Sequence, residues 1–414
     1  MGGATRLPAG EPARADGMRL LVLASAVFFA FVGRGVAEAF AVFLPEIEAD
    51  FLFSRAGVTA IYASMILAVG ISGPFAGMLF DRFGPLTLYA SGALVLIAGT
   101  LLASVADALW QLLAALGLMI GMSSACLGIA GQTPLLGRCF PKNLGAALGV
   151  VGAATGLGVL IFAPVGQLAI DAYGWRGAYR VFAAIAVILL VPFVVLIPWN
   201  RLEAGIADAG RASRSIAGVD LGEALSDRVF WALVAAYGLT AAATYSIQPQ
   251  LVSYFVSVGY RPIEAAAWLG AGGLAASAGM IGFGWISDRL GPRAAVVLSY
   301  VATSAGIAML VSMQFAATAL LLPLYATTFG LSFGSRGPVV MAMAARRWPG
   351  PALGRITGLL MAGLGVGGGG GALLGGHLHD LGGYGLMFAG ASILLALGCL
   401  AFIEVFRSDR GRAA

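Results

Sequence analysis

Charge is scarce in this chain. Of its 414 residues, 10% are Asp, Glu, Lys or Arg against 60% hydrophobic, and mean hydropathy is +0.93. That balance excludes a soluble globular domain. Cysteine is scarcer still, with three residues. Cys126, Cys139 and Cys399 stand far apart in or beside apolar stretches, without redox or metal-ligand spacing, and read as small packing residues. His377 and His379 are two apart rather than the four of a helical metal pair, and read as surface residues. The run Gly367 to Gly371 has neither a preceding strand nor a P-loop lysine, so it reads as packing or hinge. No nucleophile–base set is visible. The expectations are no enzyme activity, no cofactor, no metal and no nucleic-acid partner. A transmembrane β-barrel is excluded too, because the apolar runs are long and do not alternate.

What is abundant is long apolar sequence and glycine, 61 residues of it. Glycine and alanine suit close contacts between membrane helices, and ~20 residues suffice for one crossing. The fold class expected is an all-α polytopic membrane protein of twelve transmembrane helices, with lipid around it. The predicted segments, numbered 1 to 12, are 18–44, 56–80, 86–106, 109–137, 143–170, 178–198, 228–257, 263–287, 294–312, 317–345, 352–378 and 384–406. Of the 24 lysines and arginines, Arg34 and Arg336 fall deep inside segments, while Arg55, Arg176, Arg180 and Arg261 fall on one side. All the others share the side of the two termini. This bias predicts both termini in the cytoplasm, for a multi-pass protein of the inner (plasma) membrane. The net charge of +5 follows topology and is no sign of nucleic-acid binding.

The chain repeats itself. Gly77-Met78-Leu79-Phe80-Asp81-Arg82-Phe83-Gly84-Pro85 recurs as Gly284-Trp285-Ile286-Ser287-Asp288-Arg289-Leu290-Gly291-Pro292, and Gly156-Leu157-Gly158-Val159 as Gly363-Leu364-Gly365-Val366. Phe140-Pro141 answers Trp348-Pro349, and Asp171 answers Asp380, at almost the same offset. The layout that follows is a disordered lead over 1–17, a six-helix half over 18–199, and a mixed-charge linker over 200–227 with a short helix from Asp220. A second half spans 228–407 and a tail 408–414. Two pseudo-symmetric halves imply a binding site near the midplane between them, in a monomer.

Three charges lie deep. Arg34 and Glu38 are four apart on segment 1 and share a helix face. Arg336 sits in Phe333-Gly334-Ser335-Arg336-Gly337-Pro338 of segment 10, where the proline breaks the hydrogen-bond ladder. A charge at mid-bilayer costs roughly 2.5–3.5 kcal/mol on insertion scales, so these residues should face a cavity or the bundle interior. Polar candidates beside them are Gln132 with Thr133 before Pro134 on segment 4, and Tyr237, Thr244, Tyr245 and Gln248 on segment 7. Each is read as a substrate contact, with interhelical bonding as the competing role.

The doubled Gly-x-Leu-x-Asp-Arg-x-Gly loop resembles the signature loop of the major facilitator superfamily. That resemblance implies alternating access by rocking of the two halves, with segments 1, 4, 7 and 10 lining the cavity. It also implies a gating role for Asp81, Arg82, Asp288 and Arg289. Val42-Phe43-Leu44-Pro45-Glu46-Ile47-Glu48, Arg138-Cys139-Phe140-Pro141-Lys142 and Tyr173-Gly174-Trp175-Arg176-Gly177-Ala178-Tyr179 resemble bacterial monocarboxylate and oxalate/formate transporters. The implied cargo is a small organic anion, with proton symport or anion exchange. Members of that family often hold the carboxylate with an arginine in segment 8. Met280 stands there in this chain, so either the anion-binding charge comes from elsewhere, with Arg34 and Arg336 as the candidates, or the substrate is not a simple monocarboxylate. Protonation of Glu38 would release Arg34 to grip a carboxylate. The alternative reading is a proton-coupled exporter of drug-like or cationic compounds, with Glu38 as acceptor.

Overall fold

The computed structural model describes residues 11–140, 144–197, 199, 221–315, 318, 320–349 and 353–413. Among these the chain is helical throughout, with no strand. Nine stretches are long and apolar enough to cross a membrane. Two of them divide at glycines: 147–196 at Gly174, and 355–407 at Gly382 and Gly383. The run from Leu321 to Arg347 is helical but broken, in line with a twelve-segment layout.

The first helix begins at Glu11, inside the stretch expected to be unstructured lead, and the last runs on to Ala413. Residues 1–10, Lys142 and linker residues 201–220 lie outside the described residues, as do the side chains of Asp81 and Arg138. Leu221–Ser226 is the short helix expected at the end of the linker.

Local chemistry accounts for the helix starts. Ser54 accepts a bond from the Gly57 amide at 3.2 Å, and Asp227 one from Val229 at 3.0 Å. Pro262 and Pro292 open segments 8 and 9, where a missing N–H is harmless. Gly84 and Gly291, equivalent in the repeated loop, turn at φ 80° and 87°, a conformation that only glycine adopts readily. The repeat therefore extends to the backbone. It recurs in segments 4 and 10, each of which widens into a π-helical turn, Leu113–Met119 and Ala326–Gly330.

Glycines set how closely the helices approach. Gly367, Gly371 and Gly375 lie one helical turn apart on segment 11, against the carbonyls of Gly238, Ala242 and Ser246 of segment 7. The expected packing role of the glycine run is what the structure shows. A methyl group on Gly371 would come within 2.2 Å of the Ala242 oxygen, whereas one on Gly370 meets nothing within 4 Å. Gly371→Ala is therefore expected to destabilise the protein by about 1–3 kcal/mol through overpacking, and Gly370→Ala to be tolerated. Thermal melts of the two purified variants compare them directly.

Two seams join the halves. Segment 2 packs on segment 11 through Gly70 against Gly365 and Thr59 against Gly376. Segment 5 packs on segment 8 through Gly156 against Gly273 and Ser277, with Gly152 against Met280. Far from the termini, the helix Phe40–Phe51 that extends segment 1 also packs on Gln248–Gln250 and Leu251–Ser257 of segment 7.

Candidate functional site

Arg34 and Glu38 form an ion pair along the segment 1 helix, with side chains 18% and 6% exposed. The second Glu38 oxygen accepts a 2.7 Å bond from the hydroxyl of Tyr62 on segment 2. Tyr245 approaches from segment 7, in the other half, with its ring centroid 6.2 Å from that of Tyr62 and its phenol beside Arg34. Phe40 stacks on Tyr62, and Phe333 of segment 10 lies edge-on to Tyr245 at 5.2 Å. Two small residues make room. Gly35 touches Gly158 of segment 5, and Arg34 lies against Gly128, where segment 4 breaks between two helices.

The cluster is charge-balanced and sits where both halves meet. It joins three residues named from the sequence, Arg34, Glu38 and Tyr245, to one that was not. Tyr62 stands in the apolar run Ile61-Tyr62-Ala63, and nothing in its spacing marks it out.

Arg336 lies elsewhere. It is buried inside the second half, where Nη2 donates to the Ser299 carbonyl at 3.0 Å and the Thr303 hydroxyl at 2.7 Å. Its guanidinium covers the ring of Tyr300 at 4.4 Å. The Tyr300 hydroxyl shares a 2.5 Å bond with Thr240 on segment 7. Tyr237 accompanies Arg336, its hydroxyl against Gly337. The structure thus turns Arg336 toward segment 9, with Tyr237 of segment 7 beside it.

Gln132 is fully buried, and its amide donates to the Ala26 carbonyl of segment 1 at 3.0 Å and to that of Leu127, which is the interhelical role. Thr244 bonds back to Thr240 and Ala241 of its own helix. Gln248 is partly exposed in the 3-10 turn Gln248–Gln250.

At the face that carries the termini, the three gating candidates with described side chains contact residues of their own half. Asp288 pairs with Arg346 at 3.1 Å, Arg289 covers Trp285 at 4.6 Å, and Arg82 covers Phe83 at 5.1 Å. The opposite face is bridged. Both carboxylate oxygens of Asp380, at the end of segment 11, accept 2.9 Å bonds from the amides of Arg55 and Ala56, which open segment 2. Arg55 pairs with Glu48 at 3.0 Å and faces the ring of Tyr384 at 6.0 Å. His379, read as a surface residue, is half-buried against that same ring at 4.5 Å. Among the described residues, no comparable packing joins Ile129–Cys139 of segment 4 to Arg336–Arg347 of segment 10.

Residues 23–335 match the family model of the Major Facilitator Superfamily. Bovine monocarboxylate transporter 13 is 28% identical over 93% of this chain and 89% of its own length. Rat monocarboxylate transporter 3 is 27% identical over 84% of this chain and 72% of its own. A bacterial homologue of the human lysosomal transporter Spinster, solved inward-facing and occupied, superimposes with a TM-score of 0.70 at 15% identity. That alignment covers 95% of this chain and 97% of the other.

Proposed function

The chain belongs to the Major Facilitator Superfamily, and from that premise we propose that it carries a small monocarboxylate-like anion across the plasma membrane by alternating access, coupled to protons. The observation that carries this reading is the Arg34–Glu38–Tyr62–Tyr245 cluster, built by both halves at their junction. Each half contributes, so rocking of the halves changes the site.

The coupling follows from charge balance. With the site empty, Glu38 neutralises Arg34 and no net charge faces the low-dielectric interior. A proton on Glu38 leaves Arg34 without a counter-charge, and a substrate carboxylate takes that place. The guanidinium fork matches a carboxylate bidentately, and the Tyr62 and Tyr245 hydroxyls can donate to the same oxygens. Substrate anion and proton thus enter as a neutral sum, and both the empty and the doubly loaded states avoid an uncompensated buried charge. The relatives named as monocarboxylate transporters support the substrate class. The arginine bias toward the termini supports cytoplasmic termini. In that orientation the Asp380 contact closes the outer face, and Asp81, Arg82, Asp288 and Arg289 regroup across the halves when the cytoplasmic face closes.

The test is thermal stabilisation of the purified protein by a panel of small carboxylates and of hydrophobic cations, at acidic and neutral pH. A ligand that binds only the folded state raises the melting temperature with concentration. A carboxylate is expected to stabilise wild type more at acidic pH, and Glu38→Gln to remove the pH dependence. Stabilisation by cations alone would sink the anion reading in favour of the exporter.

A further inference from the structure

Arg336 has a feature that neither packing nor the proposed transport site explains. Its side chain is 3% exposed, and among the described residues no carboxylate pairs with it. Only Nη2 is bonded; Nε and Nη1 are buried without an acceptor. Ser299, whose carbonyl accepts from Nη2, carries a buried hydroxyl that also has no partner. Of the other polar groups nearby, the Thr303 hydroxyl accepts from Nη2 and shares its one hydrogen between the Ser299 carbonyl and the Ser332 hydroxyl, Tyr300 bonds with Thr240, and the Tyr237 hydroxyl, against Gly337, is one more group able to donate. A buried cation surrounded by unused donors lacks an anion. The alternative, a charge and three polar groups left unpaired in a low-dielectric bundle, is strongly unfavourable.

The geometry points to a small inorganic monoanion, of chloride size, held by Arg336 and Ser299 inside the second half as a resident counter-ion distinct from the transported substrate. A halide suits this setting because every free group around it is a donor, and an anion without its own hydrogens accepts from all of them. The site is walled by segments 7, 9 and 10, whereas the Arg34 cluster lies between segments 1, 2 and 7. The two share segment 7, but the charge of one is on segment 10 and that of the other on segment 1. A bound halide would balance the buried charge of Arg336 and lock segment 10, at its break, to segment 9.

The test compares melting of wild type, Arg336→Met, Ser299→Ala and Arg34→Ala in sodium chloride, bromide or methanesulfonate at equal ionic strength, with equilibrium binding of radioactive chloride alongside. Wild type is expected to melt about 3 °C or more higher in saturating halide than in methanesulfonate, and to bind one chloride per chain. Arg336→Met should lose the halide response and melt no lower than wild type in methanesulfonate, since it removes the charge that needs a partner. Ser299→Ala keeps the charge and should raise the half-saturating chloride several-fold. Arg34→Ala should keep the full response, which separates this site from the transport site. Equal melting of wild type in all three salts, a halide response surviving in Arg336→Met, or no saturable chloride binding would overturn the proposal.

Discussion

Arg34→Ala is expected to lower carboxylate uptake into proteoliposomes by at least about 100-fold, because truncating one partner of a buried charge pair typically costs about 3–5 kcal/mol. Part of that loss would come from Glu38, left buried with only the Tyr62 bond. The double variant Arg34→Ala/Glu38→Gln separates the two effects, since residues in contact do not act additively. It should recover thermal stability, having no unpaired charge, while uptake stays at background. Glu38→Gln alone mimics the protonated acid and keeps Arg34 free for substrate. Exchange of labelled for unlabelled carboxylate should therefore persist, while accumulation driven by a proton gradient is lost. Uptake by the double variant at the wild-type rate would remove Arg34 from the site.

Asp380→Ala is expected to release the face opposite the termini. The aspartate accepts two 2.9 Å backbone bonds at the start of a helix in the other half. Hydrogen bonds to a charged group contribute about 1.5–3 kcal/mol each, and the helix N-terminus adds to them. Losing about 3 kcal/mol shifts a two-state equilibrium roughly a hundredfold. Spin labels placed on segments 2 and 11 at that face should report a longer distance, and the cysteines Cys126, Cys139 and Cys399 would first be replaced. The repeat supplies the control. Asp171 is the counterpart of Asp380, but among the described residues it accepts only from Gln167 of its own helix, at 2.7 Å. The segment that Asp171 would cap opens with Pro262, which has no N–H to give. Asp171→Ala should therefore leave the label distance unchanged, and equal shifts in both variants would deny Asp380 a bridging role.

Properties that depend on near neighbours in the chain were legible from the sequence alone. Apolar run length marked the segments. The near-constant offset between the repeated motifs announced two halves, and the glycines of the repeated loop take the same left-handed turn in each. The Arg34–Glu38 pair could be read because four residues on a helix bring two side chains together whatever surrounds them. What lies across a helix is another matter. Helical period says which residues share a face, but not which neighbour that face meets. Tyr62 reaches Glu38, and Asp380 reaches the start of segment 2, only because separate segments pack side by side. Arg336 shows the same limit from the other direction. Its depth in segment 10 could be counted from the sequence, but its direction, toward Ser299 and Thr303, was decided by rotation of that helix within the bundle. Burial follows from local composition; partnership is settled by packing, which only the folded chain carries out.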